Sequence, residues 1–168
     1  MALTIAGLEP LKVALGAGPE GVFDAGIPVL AGEGVEMPFC QGRFAGRKGA
    51  FALFETEGWL WGAARCSTAP DLEATTTQIY EALFEASRHR HLARIWNYIP
   101  GINELGPAGI ENYRVFCRAR SKAFEHRFGK EFKWHVPAGS AVGCDEGMAS
   151  VVFAALPVWR PIRLLSQG

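Results

Sequence analysis

Two apolar runs, FALF and WLWGAA, flank Glu55-Thr56-Glu57-Gly58, and this spacing predicts a β-hairpin with a short turn ending in glycine. The period then changes. Leu72, Thr76, Ile79, Leu83 and Ala86 recur at helical spacing. Thr68 is the expected N-cap, with Asp71 at the capping-box position and Pro70 in the first turn. Arg88, His89 and Arg90 fall where positive charge favours a helix C-terminus, so the helix is expected over about residues 69–88. Residues 91–99, HLARIWNYI, are rich in Ile, Trp and Tyr and predict a strand. A second helix is expected over 107–128, stopped by Gly129. SAVGCDEGMASVVFAALP reads as two strands around Asp145-Glu146-Gly147, the second a continuous apolar run suited to a buried strand.

The first 35 residues are rich in Gly, Ala and Pro. They predict an irregular N-terminal segment (1–35) with one or two short strands, packed on a main body of residues 36–168. The expected order in the body is β-β-β-α-β-α-β-β. Two helices that alternate with strands cover one face of a mixed sheet, which makes a two-layer α+β domain.

The bulk numbers narrow the function. A chain of 168 residues with 49% hydrophobic and 20% charged residues is one ordinary globular domain. Its 17 basic and 17 acidic residues cancel, which argues against a protein that coats nucleic acid. MALTIAGLEPLKVALG has no basic start and is broken by Glu9 and Pro10, so no signal peptide is expected. No apolar run approaches the ~18 residues that a membrane span needs. Cys40, Cys66, Cys117 and Cys144 are widely spaced and read as buried thiols of a cytoplasmic protein. His89 and His91 flank Arg90 in RHRH, a spacing that does not bring two imidazoles to one metal. Neither a metal site nor a cofactor is expected. GAGPEG, residues 16–21, lacks the Lys-Ser/Thr of a phosphate loop.

Two stretches carry candidate chemistry. On a wheel of the second helix, Ile110, Tyr113, Cys117, Phe124 and Phe128 share an apolar stripe, and Arg120 falls on its edge. An arginine there needs a partner, because an unpaired buried guanidinium costs several kcal/mol. Either a carboxylate of the chain such as Glu104 or Asp145 pairs with it, or its fork awaits a ligand carboxylate. In the strand, period two places Leu92, Arg94, Trp96 and Tyr98 on one face. A charge, an indole and a phenol in a row suit a small anionic cyclic ligand. They equally suit a core or subunit interface with Arg94 in a salt bridge. Pro100-Gly101 ends the strand, and Asn103 is placed to hold the turn.

RIWNYIPGIN, ENYRVFCRARSKAF, PAGSAVG and VVFAALP together resemble the chorismatase family over Met37 to Pro157. The resemblance implies a fold similar to the Rid (YjgF-like) proteins, also likened to trimeric chorismate mutase. It implies binding, and hydrolysis with pyruvate release, of chorismate or a related cyclic carboxylate in secondary metabolism, in clefts of a homotrimer. The ligand-binding candidates are then Arg94, Trp96, Tyr98, Asn103, Tyr113, Arg114, Arg120 and Ser140. Glu104, Glu111 and Asp145 are the acids at hand for general acid catalysis. Chorismatases are about twice this length and carry their proton-donating glutamate in the second half. The alternative is therefore a non-catalytic binding or scaffold protein, paired with a separate catalytic chain. Rid deaminases hold a carboxylate with an arginine whose nearest match here is Gly139, so Arg120 or Arg94 would have to supply that clamp.

Overall fold

The computed structural model describes residues 9–36, 42–144 and 147–157. Among the described residues, nine strands, two helices and a short 3-10 helix follow in the order β1 (Pro10–Ala14), β2 (Val22–Pro28), β3 (Val35–Glu36), β4 (Arg43–Lys48), β5 (Phe51–Thr56), β6 (Trp59–Ser67), α1 (Leu72–Ala86), β7 (Arg90–Pro100), α2 (Asn112–Phe128), the 3-10 helix (Gly129–His135), β8 (Ala138–Cys144) and β9 (Met148–Pro157). The α+β class and the eight-element order of the main body are as the sequence pattern predicts.

Six strands form the main sheet in the order β4-β5-β6-β9-β7-β8. The β5–β6 hairpin turns through Glu57 and Gly58, both at positive φ, which is the backbone that a tight two-residue hairpin loop demands. β7 and β8 run parallel, and the other neighbours are antiparallel. β9 lies between β6 and β7, and seven of its residues from Ala149 to Ala155 are buried. Its unbroken apolar run follows from cover on both faces.

One face is covered by the helices. Phe51, Leu60, Ile95, Ile99 and Phe153 of the sheet pack with Ile79, Tyr80, Leu83 and Phe84 of α1 and Phe116, Ala123 and Phe124 of α2. Phe84 meets Phe124 edge-on at 5.0 Å, and Tyr80 lies 5.8 Å from Phe124. Each such side chain, fully buried, contributes roughly 1.5–3 kcal/mol. Gly62 is a packing requirement here: a Cβ at that position would stand 2.2 Å from the Phe153 ring.

The other face is covered by the N-terminal segment, which is more regular than its composition suggests. It forms a three-stranded sheet, β2-β1-β3. Val13, Leu15 and Ala25 pack there on Ala52, Phe54, Trp61, Tyr98, Val152 and Ala154. The expected two layers are three: helices, main sheet, small sheet.

Two helix starts differ from expectation. Asp71, not Thr68, caps α1, accepting from the N–H groups of Glu73 at 2.8 Å and Ala74 at 3.2 Å. The residue before a proline is pushed out of the helical region, so the helix cannot pass through Ala69-Pro70. The Thr68 hydroxyl donates instead to the carbonyl of Gly147. α2 begins at Asn112 and not at 107, because Gly106-Pro107-Ala108-Gly109 forms a turn closed by Gly109 N–H to the Gly106 carbonyl at 2.9 Å. Ile110 is thereby outside the helix. The buried face of α2 is Phe116, Ala119, Ala123 and Phe124, rotated from the predicted stripe, and Tyr113 is 46% exposed.

Candidate functional site

The main sheet divides the candidate residues. In β7 the register slips between Leu92 and Arg94. This bulge leaves Leu92 with the helix-side core and turns Arg94 to the other face. Leu92 is thus not on the face of Arg94, contrary to the period-two count. From Arg94 onward alternation holds: Ile95 and Ile99 face the helices, while Trp96 and Tyr98 face the small sheet.

The small-sheet face is a stack. Trp59 and Trp61 lie 5.8 Å apart, Trp61 and Trp96 6.1 Å, and the Arg94 guanidinium sits 5.1 Å over the Trp96 ring. Tyr98 is buried beside Cys144 and Val152. Arg94 is exposed, and no carboxylate among the described residues pairs with it. Ser140 lies opposite Trp96 in the parallel β7–β8 register and shares this face with Cys144.

The helix face holds Arg120. Its guanidinium lies 5.4 Å from the Phe124 ring centre and 6.0 Å from that of Tyr80. Its Nε is shielded from solvent and has no hydrogen-bond partner. No carboxylate among the described residues forms an ion pair with it. Glu104 is exposed, with its carboxylate folded over Gly101, and is not the partner that the sequence offered. Asp145 lies outside the described residues. Gly139 of β8 borders the same guanidinium: a Cβ there would stand 3.2 Å from Arg120 Nη2.

Around Arg120 a buried polar relay crosses the sheet. The Tyr80 hydroxyl donates to Asn97 Oδ1 at 2.9 Å, and Asn97 Nδ2 donates to the Ser140 carbonyl at 2.8 Å. Burial pushes the Tyr80 hydroxyl up to about 12, against the pull of the nearby Arg120 cation. At the open end, the Tyr113 hydroxyl is raised above its ordinary value by its hydrogen bond with Cys117. The sequence reading missed Tyr80 and Asn97. Tyr80 reads as an ordinary core position at helical spacing, and Asn97 alternates with the face that drew attention.

The remaining candidates stand apart. Arg114 is exposed and lies 3.8 Å from Glu111, one helical turn away, in a loose solvent-facing pair. Asn103 is exposed; the turn after β7 is held by Asn112, whose Nδ2 donates to the Gly101 carbonyl at 3.0 Å. No helix among the described residues is long and apolar enough to cross a membrane.

Comparison with known proteins places this geometry in a family. The model described as "Chorismatase FkbO/Hyg5-like, N-terminal" matches residues 38–155. The chain belongs to the FkbO/Hyg5-like chorismatase N-terminal family. A chorismatase from Streptomyces hygroscopicus is 31% identical over 114 residues, covering 66% of this chain and 33% of that protein. A chorismatase from Streptomyces rapamycinicus is also 31% identical over 114 residues, covering 66% of this chain and 34% of its own length. A 3-hydroxybenzoate synthase from Streptomyces hygroscopicus is 38% identical over 65 residues, 39% of this chain and 18% of that one. A chorismatase crystal structure matches with a TM-score of 0.64 at 21% identity, over 95% of this chain and 52% of the other. This chorismatase N-terminal chain therefore spans about a third of its curated relatives and about half of the solved structure.

Proposed function

We propose that this chain binds a small cyclic carboxylate, chorismate or a close relative, with Arg120 as the carboxylate clamp. The observation that carries the reading is a half-buried guanidinium with a shielded, unpartnered Nε and no carboxylate of its own among the described residues. A planar fork of this kind is matched by a carboxylate that arrives with a ligand. Gly139, by the resemblance the nearest match to the Rid arginine, leaves room for the Arg120 guanidinium to approach β8 from the neighbouring helix. Tyr113, on the same helix as Arg120, offers its exposed phenol next to Cys117.

Arg94, Trp96, Tyr98 and Ser140 lie across the sheet from Arg120, so one ligand cannot touch both sets within a single copy. A ligand that touched both sets would have to lie between copies, as in the homotrimer that the resemblance implies.

Binding without turnover is the expected behaviour of this chain by itself. A general acid has to stand within hydrogen-bond reach of the atom it protonates. Glu111 lies at the surface beside Arg114, Glu104 is folded onto its own turn, and Asp145 lies outside the described residues. In this reading the acid for hydrolysis with pyruvate release comes from a separate catalytic chain. Calorimetric titration with chorismate, followed by chromatography of the cell contents for pyruvate, tests both halves. Saturable binding without pyruvate is expected. Absence of binding overturns the ligand reading, and pyruvate release overturns the non-catalytic one.

A further inference from the structure

The RHRH motif has no part in the site above, yet it lines a second concavity. A cleft of about 90 Å³ opens at the end of the sheet where both helices finish. Arg88, His89, Arg90, His91, Arg127 and His135 line it, drawn from the α1–β7 turn, the start of β7, the end of α2 and the end of the 3-10 helix. Phe84, Leu92 and Phe128 form its floor. No acidic residue among the described residues lines it. At ~30 Å³ per water in the liquid, the space holds about three waters. That is the scale of one tetrahedral oxyanion.

Some of this charge is already used. Arg90 donates to the Gly58 carbonyl at 2.9 Å and to Glu55 at 3.2 Å. Arg88 lies 3.9 Å from Glu85. The two helix C-termini add roughly half a negative charge each, which accounts for Arg88 and Arg127 at these positions. It does not account for His91 on β7 or for His135, whose ring stacks on Phe128 at 4.4 Å and 7°. Arg127, His89, His91 and His135 form no ion pair with a described carboxylate. Three arginines face Glu55, Glu85 and two helix ends, and the rings of His89, His91 and His135 add N–H donors at the rim.

We propose that this cleft is a binding site for a small tetrahedral oxyanion of the phosphate class, held by Arg127 and the ring N–H donors of His89, His91 and His135. The apolar floor excludes water beneath the anion, while the imidazoles and Arg127 donate from the rim. Arg120 does not line this cleft, which does not depend on the carboxylate reading.

Sulfate is the probe, as a tetrahedral oxyanion of fixed charge. Histidine ring resonances are followed by NMR during sulfate titration at constant pH, with chloride at matched ionic strength as reference. Saturable shifts of His89, His91 and His135 are expected with sulfate and not with chloride. The double variant Arg127→Gln, His135→Gln, both at exposed positions, is expected to lose that affinity while melting as wild type does. Arg120→Met is expected to keep it. Equal shifts with chloride, or sulfate affinity untouched by the double variant, would overturn the proposal.

Discussion

Replacing Arg120 with methionine separates a ligand clamp from a structural arginine, because the two roles predict opposite signs for stability. The guanidinium keeps a shielded Nε without a partner, a state that costs ~1–3 kcal/mol. Its contacts with the rings of Phe124 at 5.4 Å and Tyr80 at 6.0 Å return about 0.5–1 kcal/mol. Methionine fills the same channel, and its sulfur regains ~0.3–1.5 kcal/mol against the same rings. The expected Arg120→Met protein is therefore as stable as wild type or more stable by ~1–2 kcal/mol, with Tm higher by about 2–4 °C per kcal/mol. Chorismate binding moves the other way. Charge-assisted hydrogen bonds to a carboxylate are worth ~1.5–3 kcal/mol, so affinity falls ~10- to 100-fold. Urea denaturation and calorimetry on the same two proteins read both quantities. An Arg120→Met protein that loses more than ~2 kcal/mol of stability and still binds the carboxylate refutes the clamp and makes Arg120 a structural residue.

Gly139→Ala adds a Cβ 3.2 Å from Arg120 Nη2; the flexible guanidinium shifts by a few tenths of an ångström, so calorimetry should show weaker carboxylate binding at near-wild-type Tm. Gly62→Ala sets a Cβ 2.2 Å from the Phe153 ring, and a loss of ~1–3 kcal/mol is expected in urea melts. Asp71→Ala removes the acceptor for two N–H groups at the start of α1 and should cost ~1 kcal/mol in the same measurement. The Tyr80 hydroxyl is raised from 10.0 to about 12 in the folded protein, so its contribution is complete below pH 10.0 and is lost as pH rises toward 12. Stability should fall through that window, and Tyr80→Phe should flatten the fall, as followed by phenolate absorbance and circular dichroism.

How much of this was legible depends on how local each signal is. The β5–β6 hairpin and the end of α2 at Gly129 were readable, since a turn at positive φ leaves its mark in a few adjacent residues. So was the burial of β9, whose apolar run is continuous. The start of α2 was misread because helical periodicity extends backward into the turn at Gly106–Gly109 without a visible break. The small sheet was read as irregular because β1, β2 and β3 carry few alternating residues and gain their order from each other. The bulge before Arg94 was invisible, and one slipped residue reassigns Leu92 to the opposite face. The partition of Arg94 and Arg120 across the sheet was beyond the sequence altogether. It follows from which strand neighbours β7, a fact that no local pattern carries.

That partition explains what WNY does in the strand. Trp96 extends the indole stack, Tyr98 fills the core under the small sheet, and Asn97 turns to the helices. β8 is an edge strand of small residues, AGSAVGC, with little side chain by which to hold its place. Asn97, 3% exposed, fastens it by donating to the Ser140 carbonyl and receives the Tyr80 hydroxyl in return. Buried amides are costly unless satisfied, so this relay fixes β8 against α1 in one register. A strand fixed in that way tolerates glycine at 139, and glycine at 139 is what lets the Arg120 guanidinium lie close against β8. The three residues of WNY are thus accounted for by the fold, whereas Arg120 is a residue for which the described fold provides no counter-charge. The case for a ligand rests on that asymmetry.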